Sequence, residues 1–223
     1  KQNSFMITIT IIVITSLISY QAFKDYSIAD KLIFQPAVVR DGEWYRLITY
    51  GLLHADLTHL IFNMFTFYLF GRIIESFFKS SLGFIPGSIA FIVLYAGGLL
   101  FSILPTYLKE KDNYYYKGLG ASGAVSAVVF AFILIFPMSL MGILFIPIRL
   151  PAFLFGFIFV FISMYLDKNQ VGGINHSAHV AGGLFGVVMT AAVFLVLLQN
   201  NLLVAFLHKI QITSLSQLIY FGI

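Results

Sequence analysis

The stretch Lys117–Ser126, KGLGASGAVS, marks the point where a polar, tyrosine-rich loop becomes an apolar helix that continues to about Pro137. Glycines on both sides of Ser122 remove side chains that would block the approach of another backbone or a substrate. At the start of a helix, Ser122 lies beside free backbone N–H groups, a position that favours negative charge. A serine that creates an oxyanion could use this position. Taken alone, however, the motif is more typical of small-residue packing between membrane helices.

The composition indicates an integral membrane protein. The chain has 223 residues, of which 60% are hydrophobic and 10% charged, and its mean hydropathy is +0.95. A soluble domain cannot bury that much apolar surface. The length suits one compact bundle without a second soluble domain. With no cysteine in the chain, disulfides, thiolate metal sites and a cysteine nucleophile are excluded. The net charge of +4 is scattered, and no basic stripe predicts nucleic-acid binding.

Six segments are long and apolar enough to predict transmembrane helices. They are approximately Ser4–Phe23, Leu57–Phe78, Gly87–Tyr107, Ser122–Pro137, Met141–Leu166 and His176–Leu198. The first lacks a small-residue cleavage pattern and is interpreted as a retained span. Pro147 and Pro151 predict a broken or kinked start to the fifth. We therefore expect an all-α six-span domain over residues 1–199 and a helical or interfacial tail over residues 200–223.

Two polar connections contain aromatic side chains typical of the membrane interface. The loop Lys24–Asp56 includes Leu32-Ile33-Phe34 and Trp44-Tyr45, which predicts that it lies partly in the interface, and Leu108–Leu119 includes three consecutive tyrosines. An even number of spans puts both termini on one side of the membrane and the starts of spans two, four and six on the other. Lysines and arginines occur on both sides, so charge alone leaves the orientation open.

Polar residues inside a membrane are costly and mostly functional. Such residues begin three of the predicted spans: His54, His59 and Asn63 precede or open the second, Ser122 opens the fourth, and His176 and His179 open the sixth. By the alternation of spans, all of them lie at one depth on the same side. This convergence favours a catalytic role for Ser122 over simple packing.

Small residues predict how two of these helices meet. Gly182 and Gly186 form G-x-x-x-G on the sixth span, and Gly123 begins a similar small-residue face on the fourth. A close crossing would bring Ser122 towards His179, which could take the serine proton as general base. His59 and Asn63 would then donate hydrogen bonds to the oxyanion.

No acidic residue is positioned to orient the base, so the pattern predicts a Ser–His dyad rather than a triad. His176, at the wet boundary, is an alternative base. For His54 we expect a supporting role, as an interfacial histidine hydrogen-bonded to the first loop. Asn63 could also be a helix-bridging amide without a catalytic duty.

The sequence resembles the rhomboid family of intramembrane serine proteases. The matching elements are Gly120-Ala121-Ser122-Gly123, Ala178-His179 followed by Gly182 and Gly186, His59-x-x-x-Asn63, Trp44-Tyr45-Arg46 and Glu75. The resemblance covers about Gly42 to Thr190. It implies a six-helix core with Ser122 as nucleophile and His179 as general base. His59, Asn63 and the Ser122 backbone N–H are implied as oxyanion donors, with the remaining matched glycines and Arg46 in support.

The resemblance further implies a multi-pass protein of the cell membrane, with cytoplasmic termini and the active site towards the outer face. The implied substrates are transmembrane proteins, cleaved in or beside a membrane segment where helix-weakening residues let the chain unwind, and the family needs no metal or cofactor. The oligomeric state is left open. From the residues themselves, the bulky phenylalanines of the fifth span indicate loose packing. Either this span flanks lateral access of the substrate or it is an ordinary lipid-facing helix.

Three alternatives belong to other classes. Four histidines at one end of the bundle could hold a metal or a haem, although no H-E-x-x-H occurs and no carboxylate joins them. An inactive relative that binds transmembrane helices is disfavoured by the intact Ser122 and His179. A transporter is disfavoured because there is no inverted repeat and no acid in mid-membrane.

Overall fold

The structure is a computed structural model that describes residues 6–142, 148–168, 175–214 and 217–221. Pro147, for which the sequence predicts a break or kink, lies outside the described residues. The described part is a bundle of α-helices with one small sheet. The helices are α1 Met6–Lys24, α2 Tyr26–Leu32, α3 Pro36–Arg40, α4 Arg46–Thr49, α5 Leu57–Leu82, α6 Phe84–Glu110, α7 Ser122–Ile135, α8 Ala152–Lys168, α9 His176–Leu198 and α10 Leu202–Lys209. The strands are β1 Leu140–Gly142, β2 Ile148–Pro151 and β3 Tyr220–Phe221.

Each predicted span contains a helix, but the helices differ in length. In the described residues, α1, α5, α6 and α9 are long and apolar enough to cross a membrane. The helix α7 has 14 residues and α8 has 17. At about 1.5 Å per residue, α7 is only about 21 Å long, less than the roughly 30 Å of a hydrocarbon core. The number of membrane crossings therefore stays a prediction.

The short helix α7 lies at the centre of the bundle. Eleven of its 14 residues are buried, and it packs against α5, α6 and α9. Because α5, α6 and α9 cover α7, this helix does not need the length of a lipid-exposed span. Its first residue, Ser122, is half-buried among these helices.

The predicted helical start of the fifth span, at Met141, is wrong. Met141 lies in β1, which pairs antiparallel with β2, and β2 in turn pairs with β3 near the C-terminus. Pro151 explains the difference, because proline has no N–H to donate and drives the preceding residue towards an extended conformation. The helix α8 therefore starts at Ala152, and apart from this small sheet the described chain is consistent with the predicted all-α membrane bundle.

Among the described residues, the segment after α9 contains the helix α10 and the short strand β3. A left-handed Gln199 (φ 53°) ends α9, and α10 follows as a separate helix. The ammonium group of Lys209 on α10 donates to the carbonyl oxygen of Ile135, 2.8 Å away, at the C-terminal end of α7, where cations are favoured. The tail thus packs on the core. The division at residue 199 stays a prediction.

The first loop is a folded element that contains α2, α3 and α4. The buried Arg46 holds it together by donating to the carbonyl oxygens of Asp30 (2.6 Å) and Ile33 (2.8 Å). Phe34 and Gly118 exchange two backbone hydrogen bonds, which tie this loop to the segment before Ser122. Its predicted position in the membrane interface stays a prediction.

Glu75 stabilises the opposite end of the bundle. Its fully buried carboxylate accepts from the backbone N–H groups of Ile7 (3.0 Å) and Thr8 (2.7 Å) and from the Thr8 hydroxyl. A negative charge at these unsatisfied N–H groups caps the start of α1. The Lys79 ammonium, 2.5 Å from the same carboxylate, offsets its charge.

Candidate active site

A glycine turn places Ser122 as the first residue of α7. Gly120 has φ +116°, a conformation open to glycine and strained for other residues. Its N–H donates to the carbonyl oxygen of Tyr50, 3.1 Å away. The Tyr50 hydroxyl in turn donates to the carbonyl oxygen of Leu99 on α6, 2.8 Å away. The turn before the serine is therefore held by the first loop and by α6.

Ser122 and His179 are in direct contact. The distance between Oγ of Ser122 and Nε2 of His179 is 2.8 Å, a normal hydrogen bond. In the neutral tautomer that carries its hydrogen on Nδ1, Nε2 accepts the serine proton. Both side chains are half-buried and both line one large cavity, so the pair is reachable from outside the bundle.

Glycine residues on α9, which have no side chain, allow α7 and α9 to approach this closely. A Cβ atom added at Gly182 would lie 2.2 Å from the carbonyl oxygen of Gly123, and one added at Gly186 would lie 2.1 Å from that of Ala127. Such distances are far inside van der Waals contact. The small-residue face predicted from the sequence is thus where the two backbones touch, and it sets the distance between serine and histidine.

His59 lies beside the serine on the side of the glycine turn. A Cβ atom built on Gly120 would lie 3.3 Å from Nε2 of His59 and 4.0 Å from Oγ of Ser122. The backbone N–H of Ala55 donates to Nδ1 of His59 over 3.4 Å, which favours the tautomer with hydrogen on Nε2. A hydrogen-bond donor therefore lies on the serine side of the ring.

Asn63 lies one turn further along α5. Its Nδ2 donates one hydrogen to the carbonyl oxygen of His59, 3.1 Å away, and the amide lines the same cavity as Ser122. An amide nitrogen carries two hydrogens, so the second is available to a group in the cavity. No bridge from Asn63 to another helix is found among the described residues.

His54 supports His59 and does not reach Ser122. The hydroxyl of Ser19 donates to the carbonyl oxygen of Leu52 (2.7 Å) and lies 3.0 Å from Nδ1 of His54. The expected bond to the first loop is wrong, since the partner is on α1. Burial lowers the pKa of His54 to about 3, which keeps it neutral. Its ring packs edge-on against that of His59, with centroids 5.0 Å apart.

His176 is buried and lies edge-on to His179, with ring centroids 6.0 Å apart. The hydrogen bond to Ser122 is made by His179 and not by His176. In the described residues, no group of three or more His, Cys, Asp or Glu side chains has the arrangement of a metal site. The predicted absence of metal and cofactor stays a prediction.

Asn175 is a positioning residue that the sequence interpretation missed. Its Oδ1 accepts from the N–H of Ala178, 3.0 Å away, which caps the start of α9. Its Nδ2 donates to the hydroxyls of Thr106 on α6 (2.6 Å) and Tyr116 (3.3 Å). Asparagine directly before an apolar run is a helix-start signal and could have identified it. It fixes the first turn of α9, which carries His179.

The cavity that Ser122 borders is lined by side chains of several helices. Its volume is about 1760 Å³, and Ser122, His179, His59 and Asn63 line it together with apolar side chains of α5 and α8. The helix α8 buries three of its 17 residues, and α1 likewise three of 19. The predicted loose packing of the fifth span is therefore observed, but α1 shares it.

Comparisons with known proteins place this arrangement in context. A sequence profile described as the Rhomboid domain matches residues 41–196. YdcA of Bacillus subtilis, named as a candidate rhomboid protease, is 37% identical over 106 residues, which are 47% of this chain and 48% of YdcA. The mitochondrial RHOMBOID-like protein 12 of Arabidopsis thaliana is 27% identical over 162 residues, 69% of this chain and 48% of that protein.

The rhomboid protease GlpG of Haemophilus influenzae is 28% identical over 160 residues, 67% of this chain and 69% of GlpG. The matches to YdcA and to the Arabidopsis protein span about half the length of each of those relatives. The profile match includes every site residue described above and excludes the tail that follows α9.

Proposed function

The chain belongs to the rhomboid family, and from this premise we propose that it is an intramembrane serine endopeptidase. It hydrolyses peptide bonds in or beside transmembrane segments of other membrane proteins. The observation that carries the proposal is the 2.8 Å contact between Oγ of Ser122 and Nε2 of His179, at the edge of a cavity lined by several helices. A nucleophile and base within hydrogen-bond distance are what acyl transfer requires.

In the proposed reaction, Oγ of Ser122 attacks the carbonyl carbon of the scissile bond while Nε2 of His179 takes the hydroxyl proton. The imidazolium then donates this proton to the leaving amine, and an acyl-enzyme remains. Water, deprotonated by His179, hydrolyses the ester and restores the serine. No carboxylate is invoked, and the imidazole depends on neighbouring rings and on Ser122 for its orientation.

The negative oxygen of the tetrahedral intermediate would lie against three donors. These are the backbone N–H of Ser122 at the start of α7, Nε2–H of His59 and the second amide hydrogen of Asn63. The tautomer favoured by Ala55 and the position of His59 beside Gly120 support this assignment. Donors fixed before the reaction stabilise the developing charge without reorganisation.

We further propose that the protein crosses the cell membrane six times, with cytoplasmic termini and the active site towards the outer face. Its partners would be lipids and transmembrane substrates, and no nucleic acid. Substrate would reach Ser122 from the side, between α5 and α8, because apolar side chains of both helices line the cavity that contains Ser122 and His179. A covalent cross-link between α5 and α8 that left cleavage unchanged would contradict this route.

The proposal is tested with purified protein in detergent and a single-span substrate protein. We expect wild-type protein to cleave the substrate in or next to its membrane segment, which mass spectrometry of the two products locates. Pretreatment with a serine-directed fluorophosphonate should stop cleavage, because the serine oxygen displaces fluoride, and add the mass of the phosphonyl group to the peptide that contains Ser122. Cleavage that persists after full labelling of Ser122 would contradict a serine mechanism. Loss of cleavage on treatment with a metal chelator would contradict it as well.

Substitution of His59 or Asn63 by alanine should lower kcat on the order of 10²–10³-fold, because each variant removes one donor to the oxyanion. KM should change little, since the charge exists only in the transition state. The measurement is initial cleavage rate against substrate concentration. Tyr68→Phe, which alters an exposed side chain of the same helix, is the control and should cleave at the wild-type rate. Loss through KM alone would argue that these residues bind substrate instead.

A further inference from the structure

No charged side chain among the described residues is hydrogen-bonded to the imidazole of His179. Within the described residues, its hydrogen bond to Ser122 is the one the ring makes. The carboxylate nearest to it in the chain, that of Asp167 at the end of α8, accepts from the backbone N–H of Ser177 instead. A base held at one nitrogen can still rotate about that contact. Its plane must therefore be set by packing.

Phe159 on α8 supplies that packing. Its ring lies nearly parallel to the imidazole, with centroids 6.2 Å apart and 25° between the planes. The same ring also packs against Phe130 of α7, with centroids 5.8 Å apart and an angle of 60°. Both distances fall in the range of attractive aromatic pairs. The ring therefore contacts both the helix that carries the nucleophile and the helix that carries the base.

The rest of α8 packs too loosely to hold Phe159 firmly against His179. The helix comes close to α7 at Gly156, where an added Cβ atom would lie 3.1 Å from the side chain of Ile133. An apolar cavity of about 500 Å³, lined by α8, by β1 and β2 and by the two histidines of α9, borders Phe159 on a further side. The ring therefore has room to move away from His179 when α8 moves.

We infer that Phe159 is a positioning residue for the general base. It holds the imidazole plane so that Nε2 points at Ser122, the task an acid performs in a triad. This inference rests on the proposed function. Because Phe159 belongs to α8, displacement of α8 from α7 and α9 would release the imidazole, which couples the reactivity of Ser122 to the packing of α8 against these two helices.

The test compares Phe159→Leu, Phe159→Met and Phe159→Tyr with wild type in the cleavage assay. Leucine and methionine keep an apolar side chain of similar reach but remove the flat ring, whereas tyrosine keeps it and has the neighbouring cavity for its hydroxyl. A misplacement of about 1 Å at a catalytic group costs on the order of 10²-fold in rate. We expect the first two variants to lose about 10- to 100-fold in kcat with KM within about twofold, and tyrosine to restore kcat.

Phe157→Leu is the matched control, because Phe157 is on the same helix and 56% exposed, outside both cavities. It should cleave as wild type does. The unfolding midpoint in detergent, measured for all variants, distinguishes a loss of kcat caused by unfolding from one caused by a misplaced imidazole. Wild-type kcat in Phe159→Leu and Phe159→Met, or a change confined to KM, overturns the inference while the proposed function stands. An inactive wild type overturns both.

Discussion

Ser122→Ala is expected to reduce substrate cleavage to background, a loss on the order of 10⁴-fold or more. His179→Ala should lose as much, because the hydroxyl is a weak nucleophile without a base in contact. Since the two groups act as a unit, the double variant should be no slower than either single variant. The measurement is product formation over long incubations at equal amounts of folded protein.

Both variants should remain folded. The side chains of Ser122 and His179 are half-buried and border the cavity, so truncation removes few packing contacts and adds none. Ser126→Ala, one turn deeper in α7, is the matched control and should keep most of the activity. His176→Ala separates the two candidate bases. An inactive His176→Ala together with an active His179→Ala would contradict the assignment of the base, and an active Ser122→Ala would contradict the protease itself.

The convergence of Ser122 and His179 could be predicted because it depends on periodicity and residue size. Polar groups at the starts of three spans fix their depth, and glycines four residues apart fix which helix faces can touch. Both signals are local in the sequence, and each consists of residue types that have few other roles inside a membrane. The sequence therefore predicts which groups can meet without any knowledge of the loops.

The details that set orientation could not be predicted in this way. The tautomer of His59 depends on a backbone N–H at Ala55, and the stacking on His179 depends on how α8 is rotated. Neither leaves a pattern in the sequence. His54 shows the same limit, because its partner on α1 is 35 residues away in the chain and any of several hydroxyls could have filled that role.

The start of α8 was missed for a different reason. Residues 141–151 are apolar except for Arg149, and a short, largely apolar run does not distinguish a strand from a buried helix. Pro151 was interpreted as a kink, whereas it ends a strand whose partner near Tyr220 is about 70 residues away. Long-range pairing of this kind overrides local hydropathy. The strand β3 in the tail could not be predicted for the same reason, because it forms by pairing with β2, which is distant in the sequence.

Gly182→Ala is expected to separate α7 from α9 although it adds a single methyl group. The Cβ atom would lie 2.2 Å from the carbonyl oxygen of Gly123 and 2.9 Å from its carbonyl carbon. Both are backbone atoms, so no side-chain rotation can relieve the overlap, and one helix must shift. Overpacking of this kind costs about 1–3 kcal/mol. The shift also lengthens the Ser122–His179 contact, and misplacement by about 1 Å would lower kcat on the order of 10²-fold.

The loss of stability and the loss of activity in Gly182→Ala share one cause, and the measurements should show it. The unfolding midpoint in detergent should fall, and fluorophosphonate labelling of Ser122 should slow in parallel with cleavage. Leu184→Ala, at a 63% exposed position of the same helix, should change neither. If Gly182→Ala unfolds at a lower temperature yet labels and cleaves at the wild-type rate, the distance between nucleophile and base is not set by this helix crossing. The serine would then be activated by something other than the contact between α7 and α9.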